Sequence, residues 1–360
     1  ADVIKIEHPV TGDAQRGIMQ SGVVSTTGGA VNVFMEHPNR GKRSVAVDIG
    51  TDEGRELLYE MAKTSDVFLT NFLPEARQRL GIDLEHLRAV NPDIVYVRGT
   101  AHGDRGPERL KGGYDATGFW ARAGSAASCT PSDLDVMISQ PGPGYGDSMG
   151  GMTIAGGIVA ALLGRERTGE TSVVDVSLLS TGMWAMGLGI GLSIQTGQAW
   201  AAPPTTQAGM AANPLTGSYT TSDGRHIMFV MLQPGEYWAD FCEHIDRPEL
   251  ATDERFADVA NLMANAQEAA EIIREVIGAQ SFDYWIDRFE TLAGQWAPVQ
   301  NTLDLLEDRQ ARANDYIVSV DDGSGGAFEV VASPVQFDEA APTIRRAPDH
   351  GQHTDEMLAE

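Results

Sequence analysis

The sequence is poor in cysteine. Cys129 and Cys242 are its only two in 360 residues, too few for a disulfide scaffold or a cysteine-rich metal site. A reducing, cytoplasmic setting is the default for such a chain. Basic residues are scarce as well: 26 Lys and Arg stand against 51 Asp and Glu, a net charge of −25. Nucleic acid needs clustered Lys and Arg, so it is not an expected partner. The same deficit argues against an anionic membrane surface. Solubility is the plain reading of the charge. The opening residues, Ala1 to Pro9, lack the basic-then-apolar pattern of a signal peptide. One uncharged stretch, Val176 to Ile194, is long enough to raise the question of a membrane span. It holds four glycines and four Ser/Thr residues, so a buried helix is the expectation.

Several chemical signatures are also missing. There is no Walker A lysine motif and no proper GxGxxG with an acidic residue downstream. Gly142-x-Gly144-x-Gly146 and Gly187-x-Gly189-x-Gly191 resemble dinucleotide loops only superficially. Ser148 and Ser177 lack a nucleophile elbow. The eight histidines form no metal set; His350 and His353 lie in a polar tail without a third ligand. No metal is expected. Internal repeats and low-complexity tracts are absent.

What is present is an α/β pattern in a chain that is 42% hydrophobic and 21% charged, which excludes a disordered chain. Val3–Ile6, Ser44–Ile49, Asp66–Thr70, Asp93–Val97 and Ser172–Val176 read as strands. Amphipathic helices separate them. Thr51 is the expected N-cap of one, and another follows Pro74 and ends at Gly81. Such alternation implies βαβ crossovers and a parallel sheet. Ligands of parallel sheets sit at the carboxyl ends of the strands, which points to the loops after Thr70 and Val97. From about residue 200 the texture becomes that of a smaller α+β domain. Strands are expected near 217–221 and 226–231, with helices over 266–277 and 282–289. The expected organisation is a Rossmann-like large domain over 1–198, a linker over 199–212, a small α+β domain over 213–300, and a C-terminal segment over 301–360 that returns to the large domain.

Asp147 is the sharpest candidate for chemistry. It follows a glycine-rich loop and opens a helix expected over about 148–167. As an N-cap it would accept bonds from N2 or N3 amides. As a reactive carboxylate it would be held ionised by the helix dipole. Gly146, Gly150 and Gly151 would leave backbone open to a large substrate, and free amides could stabilise an oxyanion. Asp115, after Gly112-Gly113-Tyr114, reads as the cap of a helix starting near Ala116. A second carboxylate close to Asp147 would shift its pKa or act in proton transfer. Trp120, Trp184, Met149 and Met152 are acyl-pocket candidates and equally core candidates.

These residues stand in segments that resemble the family III CoA-transferases. That family includes formyl-CoA transferase, carnitine CoA-transferase and the α-methylacyl-CoA racemases. The segments are ADVIKIEHP at 1–9, NRGKRSVAVDI at 39–49, TDEGRELL at 51–58, DVFLTNFLPEARQRLGID at 66–83, NPDIVYVRGTAHGDRGP at 91–107, GGYDATGFWARAG at 112–124, GDSMGGMTIAGGIVAALLGRERTGE at 146–170, VVDVSLL at 173–179 and GQHTDEML at 351–358. Each is loose alone; their order over nearly the whole chain is specific.

The resemblance implies that Asp147 is the nucleophile. It would attack an acyl-CoA thioester, form an aspartyl anhydride and then an aspartyl-CoA thioester, and pass CoA to a carboxylic acid acceptor. Asp115 matches a second acidic residue near the site. The racemases carry His-Asp where this chain has Tyr114-Asp115, which favours a transferase. Val47, Asn71, Phe72 and Arg79 match positions lining the CoA groove, and His8 matches one near the adenine; Tyr114 joins this set. Coenzyme A, as acyl-CoA, is the implied co-substrate. An interlocked homodimer is the implied assembly. The family's first strand and helix have no counterpart here, and neither does the glycine-rich loop of formyl-CoA transferase, whose matching region is Ala208–Leu215. Two other readings stand beside the transferase: an acyl-CoA racemase or isomerase, and a non-catalytic acyl-CoA binding protein.

Overall fold

The computed structural model describes residues 1–20, 31–205 and 212–359. Part of the Ala208–Leu215 region, residues 208–211, therefore lies outside the described residues. The chain divides into two units. One is Ala1–Ala202 with Asp315–Glu360, the other Pro203–Asn314.

The first unit is built on parallel strands. β1 (Ile4–Glu7) leads through α1 (Val33–Asn39) to β2 (Arg43–Ala46), and the two strands pair in parallel with Ile6 opposite Val45. α2 (Asp52–Lys63) follows, capped by Thr51, whose hydroxyl accepts from the Gly54 amide. β3 (Val67–Thr70), α3 (Pro74–Leu80), α4 (Leu84–Val90) and β4 (Val95–Thr100) come next. Further on are α5 (Ser125–Cys129), α6 (Tyr145–Thr168) and β5 (Val173–Ser177). β3, β4 and β5 form a parallel sheet in that order. Runs such as Val95-Tyr96-Val97, fully buried, suit a sheet covered on both faces. On one side Leu58, Ile82, Leu87, Ile94 and Tyr96 form a core that takes in Ile6 and Ile49; on the other, Val95 and Val97 meet Ala161, Ile154 and Ile158 of α6. The parallel α/β architecture thus agrees with the alternation of the sequence.

Two local expectations fail. β2 stops at Ala46, because the chain turns there: the Gly50 amide bonds the Asp48 carboxylate at 2.9 Å and Thr51 Oγ1 bonds the Asp48 carbonyl at 2.8 Å. The uncharged 176–194 stretch is not one buried helix. It breaks at Met186 into α7 (Leu178–Ala185) and α8 (Gly187–Thr196), and α8 buries none of its residues within this chain. Trp184 is 87% and Leu188 90% exposed. α6 is the one described helix long and apolar enough to span a membrane by length and composition. Met149, Met152, Val159 and Leu163 stand on its exposed surface. Trp184, Met149 and Met152 are consequently not core residues. Trp120 is half-buried, and its indole donates to the Ile138 carbonyl at 2.9 Å.

The second unit holds an antiparallel sheet of β6 (Thr216–Thr220), β7 (His226–Val230) and β8 (Trp296–Pro298). α9 (Pro234–His244), α10 (Val259–Ala264), α11 (Ala266–Gly278) and α12 (Phe282–Arg288) supply its helical layer, and α13 (Arg309–Ala313) ends the unit. Phe229, Phe241, Trp285 and Phe289 interlock at its centre, with ring centroids 5.1–6.3 Å apart. After it, the hairpin of β9 (Ile317–Asp321) and β10 (Ala327–Val331) and a final helix, α14 (Thr354–Ala359), belong to the first unit.

A buried acid fastens that last segment. Glu7 is 4% exposed. It takes two bonds from Arg16 at 2.7 Å and one from Ser44 Oγ at 2.7 Å, and Ser44 Oγ in turn accepts the Gly351 amide. His353 receives the Ser44 amide at 3.1 Å, and Arg16 reaches the Pro348 carbonyl. Burial alone would raise the Glu7 pKa. The bonds from Arg16 and Ser44 and the charges of Arg16 and Lys5 overcome it and bring it down to about 2. A depressed carboxyl adds stability above its unfolded pKa and loses it as pH falls toward the folded value. Glu7→Gln is therefore expected to cost roughly 3 kcal/mol at neutral pH. Denaturant unfolding from pH 7 downward should show the gap to wild type closing between about pH 4.5 and about 2.

Candidate functional site

Asn71 and Phe72 follow β3, Tyr114 and Asp115 follow β4, His8 and Val47 follow β1 and β2, Asp147 lies at the start of α6, and Arg79 lies on α3. Asp115 is buried, at 7% exposed. It caps a π-helical turn, Ala116–Ala121, accepting from the Ala116 amide at 2.8 Å. Its other oxygen accepts from Gln140 Nε2 at 2.9 Å. Both oxygens are thus held by donors, and the carboxylate is fixed.

Asp147 reaches Asp115 through Gly146. α6 begins at Tyr145, three residues earlier than the sequence suggests. Gly144 turns the chain with φ 70°, a conformation L side chains rarely adopt, and its carbonyl takes the Ser148 amide at 2.8 Å. Tyr145 then stands edge-on to Phe119, with centroids 6.0 Å apart. Asp147 is accordingly the third helical residue and not the N-cap. Gly146 is buried, and does not leave backbone open to a substrate. A Cβ there would lie 2.6 Å from Phe119 Cβ and 2.9 Å from Asp115 Cβ. The missing side chain is what lets α6 press against the Asp115 turn. Gly150 is buried too, while Gly151 has nothing within 4 Å of a built Cβ.

The consequence is electrostatic. Asp147 is open to solvent on one side, yet neighbouring protein removes enough water that desolvation raises its pKa, with the Asp115 charge adding to the rise. A carboxylate of raised pKa is more basic and a better nucleophile. The amides of Tyr145, Gly146 and Asp147 have no acceptor within the helix, so donors for a developing oxyanion lie at the same place.

The other predicted residues fall into two groups. Asn71 and Phe72 leave β3 and are exposed, Tyr114 stands 80% exposed beside Asp115, and Asn71 packs near Gly99 of β4. Arg79, on α3, is exposed. His8 and Val47 follow β1 and β2. His8 Nδ1 accepts from the Val10 and Thr11 amides at 3.2 Å, and its Nε2 is 3.9 Å from Asp48. Val47 buries its side chain, so only its backbone can face a ligand. Among the described residues no hydrogen bond or ion pair joins His8, Val47 or Arg79 to the Asp115–Asp147 pair. A hollow of about 400 Å³ lined by Lys63, Asp66, Asn91, Asp93 and Arg165 lies at the opposite, amino end of the sheet. No group of three or more metal-ligating side chains occurs among the described residues.

Sequence reasoning missed Gln140, which arrives from 25 positions away to hold Asp115. It also missed His102. A Cβ on Gly113 would sit 3.5 Å from His102 Nε2, and the buried His102 Nδ1 has no partner among the described residues. The short interval from β4 to His102 was the available signal.

The profile of CoA-transferase family III matches residues 1–354. The chain belongs to that family. It is 30% identical over 359 residues to the (R)-2-hydroxy-4-methylpentanoate CoA-transferase of Clostridioides difficile, covering 99% of this chain and 88% of that one. It is also 30% identical to the cinnamoyl-CoA:phenyllactate CoA-transferase of Clostridium sporogenes, over 100% and 86% of the two chains. Among solved structures it resembles Rv3272 from M. tuberculosis, with a TM-score of 0.81 at 25% identity over 99% of this chain and 91% of that one. A CAIB/BAIF family protein from Brucella suis, at 24% identity, shares the fold with a TM-score of 0.81 over 100% and 91%. These relatives are named for CoA transfer, with CoA thioesters and carboxylic acids as their substrates.

Removing the Asp115 charge makes ionisation of Asp147 easier. Asp115→Asn is thus expected to lower the Asp147 pKa, as read by carboxyl-carbon NMR titration. An unmoved or rising value would sever the electrostatic link between the two.

Proposed function

We propose that this transferase moves CoA from an acyl-CoA donor to a carboxylic acid through covalent intermediates on Asp147. The observation that carries the reading is the placement of Asp147: a solvent-reachable carboxylate of raised basicity, beside free helix amides, at the carboxyl end of a parallel sheet.

The steps balance without added protons. An Asp147 oxygen attacks the thioester carbonyl carbon, the C–S bond breaks, and CoA leaves as thiolate. The mixed anhydride so formed is attacked by that thiolate at the Asp147 carboxyl carbon, which frees the donor acid and leaves an aspartyl-CoA thioester. The acceptor carboxylate attacks this thioester and again expels the thiolate. The thiolate then takes the acceptor acyl carbon, and the Asp147 carboxylate is restored. Each exchange replaces one difficult step by easier ones. Amides at the start of α6 would stabilise the oxyanions. Asp115 would hold the local charge, with Tyr114 at its edge in place of the racemases' histidine. Asn71, Phe72, the exposed cation Arg79, Val47 and His8 would line the CoA path. The names of the relatives span hydroxymethylpentanoate, phenyllactate, mesaconate and glutarate, a spread that fits one transfer chemistry with a variable acyl pocket.

A second copy of the chain is the proposed cover for the exposed apolar surfaces of α6, α7 and α8. A cytoplasmic setting suits the acidic, cysteine-poor chain. Light scattering at micromolar concentration is expected to give twice the chain mass; a monomer would overturn the dimer.

Mass spectrometry after incubation with a panel of acyl-CoAs tests the chemistry. The expected result is an adduct on the peptide holding Asp147, converted to a hydroxamate by hydroxylamine. Asp147→Ala should lose the adduct and all transfer without losing its fold. Because the carboxylate is the nucleophile, adduct formation should slow as pH falls through the raised pKa. CoA-ester binding with no adduct from any donor would instead favour an acyl-CoA racemase or a binding protein.

A further inference from the structure

Arg77 is the only cation buried among the described residues, at 2% exposed. Its guanidinium makes three contacts with three different segments. Nε meets Asp83, the cap of α4, at 3.2 Å. Nη1 donates to the Phe72 carbonyl, in the turn after β3, at 3.3 Å. Nη2 donates to Asp104, in the loop after β4, at 3.0 Å. The other oxygen of Asp104 pairs with Arg98, and Arg98 grips Asp175 of β5 with two bonds of 2.6 and 2.9 Å. A line of alternating charge therefore runs from α4 to β5.

Burying a guanidinium is costly unless acceptors surround it. If packing under α3 were all that was needed, an apolar side chain would serve at lower cost. What an apolar side chain cannot do is tie a carbonyl and two carboxylates of separate loops to one rigid plane. Two of those three acceptors lie in loops at the carboxyl ends of strands, where parallel sheets bind ligands. The Phe72 carbonyl belongs to the turn that carries Asn71. Asp104 lies two residues past His102, whose ring neighbours Gly113 ahead of Asp115. A Cβ on Gly112 would touch Leu73 at 3.9 Å, so the two loops also meet directly.

We propose that Arg77 is a positioning residue for CoA transfer: a buried clamp that sets the Asn71–Phe72 turn against the Asp104 loop at the spacing a CoA ester requires. The inference rests on the transferase reading above and adds a residue that touches neither the ester nor Asp147.

The test compares Arg77→Lys, Arg77→Met and Asp104→Asn with wild type. Three quantities are read: the dissociation constant for CoA by calorimetry, the rate of Asp147 adduct formation at saturating acyl-CoA, and the melting temperature. Lysine keeps the charge but loses the fork, so one or two charge-assisted bonds should go. The expected result is CoA binding weakened about tenfold, with adduct formation at saturation changed much less. Asp104→Asn keeps the shape, cuts one charge and should move affinity the same way even if Arg77→Met does not fold. Folded variants that bind CoA as wild type does would overturn the proposal. So would affinity and rate falling together in step with melting temperature, since that is the signature of a merely structural residue. Wild-type protein that neither binds CoA nor forms an adduct would overturn the transferase reading itself, and this inference with it.

Discussion

The carboxyl end of the β3–β5 sheet depends on a contact with no space for a methyl group. Gly146 lies against Phe119 and Asp115 so closely that a Cβ would overlap both. That approach brings the start of α6 onto the π-helical turn, and with it Asp147 beside Asp115. Two carboxylates side by side repel, and desolvation adds to the cost. A fold selected only for stability would separate them. Their pairing, held by Gln140 and the Ala116 amide on one side and by Gly146 on the other, is a cost to stability of the kind that functional sites carry. π-Helical turns are themselves rare and concentrate at such places.

Local physics made much of the fold legible. Runs of β-branched residues alternating with amphipathic segments were sufficient for the parallel strands, and Thr51 and Asp115 cap where short polar side chains precede helices. Asp147 stood out through its glycine-rich approach. The nearness of Asp115 to it was not legible, because 32 positions separate them and the contact runs through a residue without a side chain. Gln140 gave no sign either, since nothing local distinguishes a glutamine that will meet a carboxylate from one that will meet water. The start of α6 was misjudged because Gly144 can turn left-handed, so the glycine-rich loop closes earlier than its composition implies. In the uncharged 176–194 stretch, apolarity was mistaken for burial. Hydropathy reports what a side chain avoids, not which chain covers it.

Charge follows a similar logic. A chain of net −25 has few cations to place. Arg16, Arg77 and Arg98 are committed to carboxylates at the joints of the first unit. Arg79, two residues from Arg77 on the same short helix, is exposed and has no ion-pair partner among the described residues. Sequence resemblance pointed to Arg79 and passed over Arg77. The two differ in what a motif can carry: an exposed cation acts through its own charge, whereas a buried one acts through the loops it joins.

The apolar surface completes the argument. Met149 and Met152 follow Asp147 within two turns of α6 and are 42% and 54% exposed. Trp184, Leu188 and Ile194 extend the same character along α7 and α8. Exposed apolar side chains concentrated on neighbouring helices mark surfaces that another body covers. Whatever covers α6 must come close to Asp147, and so bears on the water and the dielectric around it. Burial there would strengthen the repulsion from Asp115 and raise the basicity of Asp147 further. On the proposed reading of Asp147 as nucleophile and of a second copy over α6, assembly and nucleophile strength are coupled through one helix, and the exposed methionines beside Asp147 are where that coupling enters.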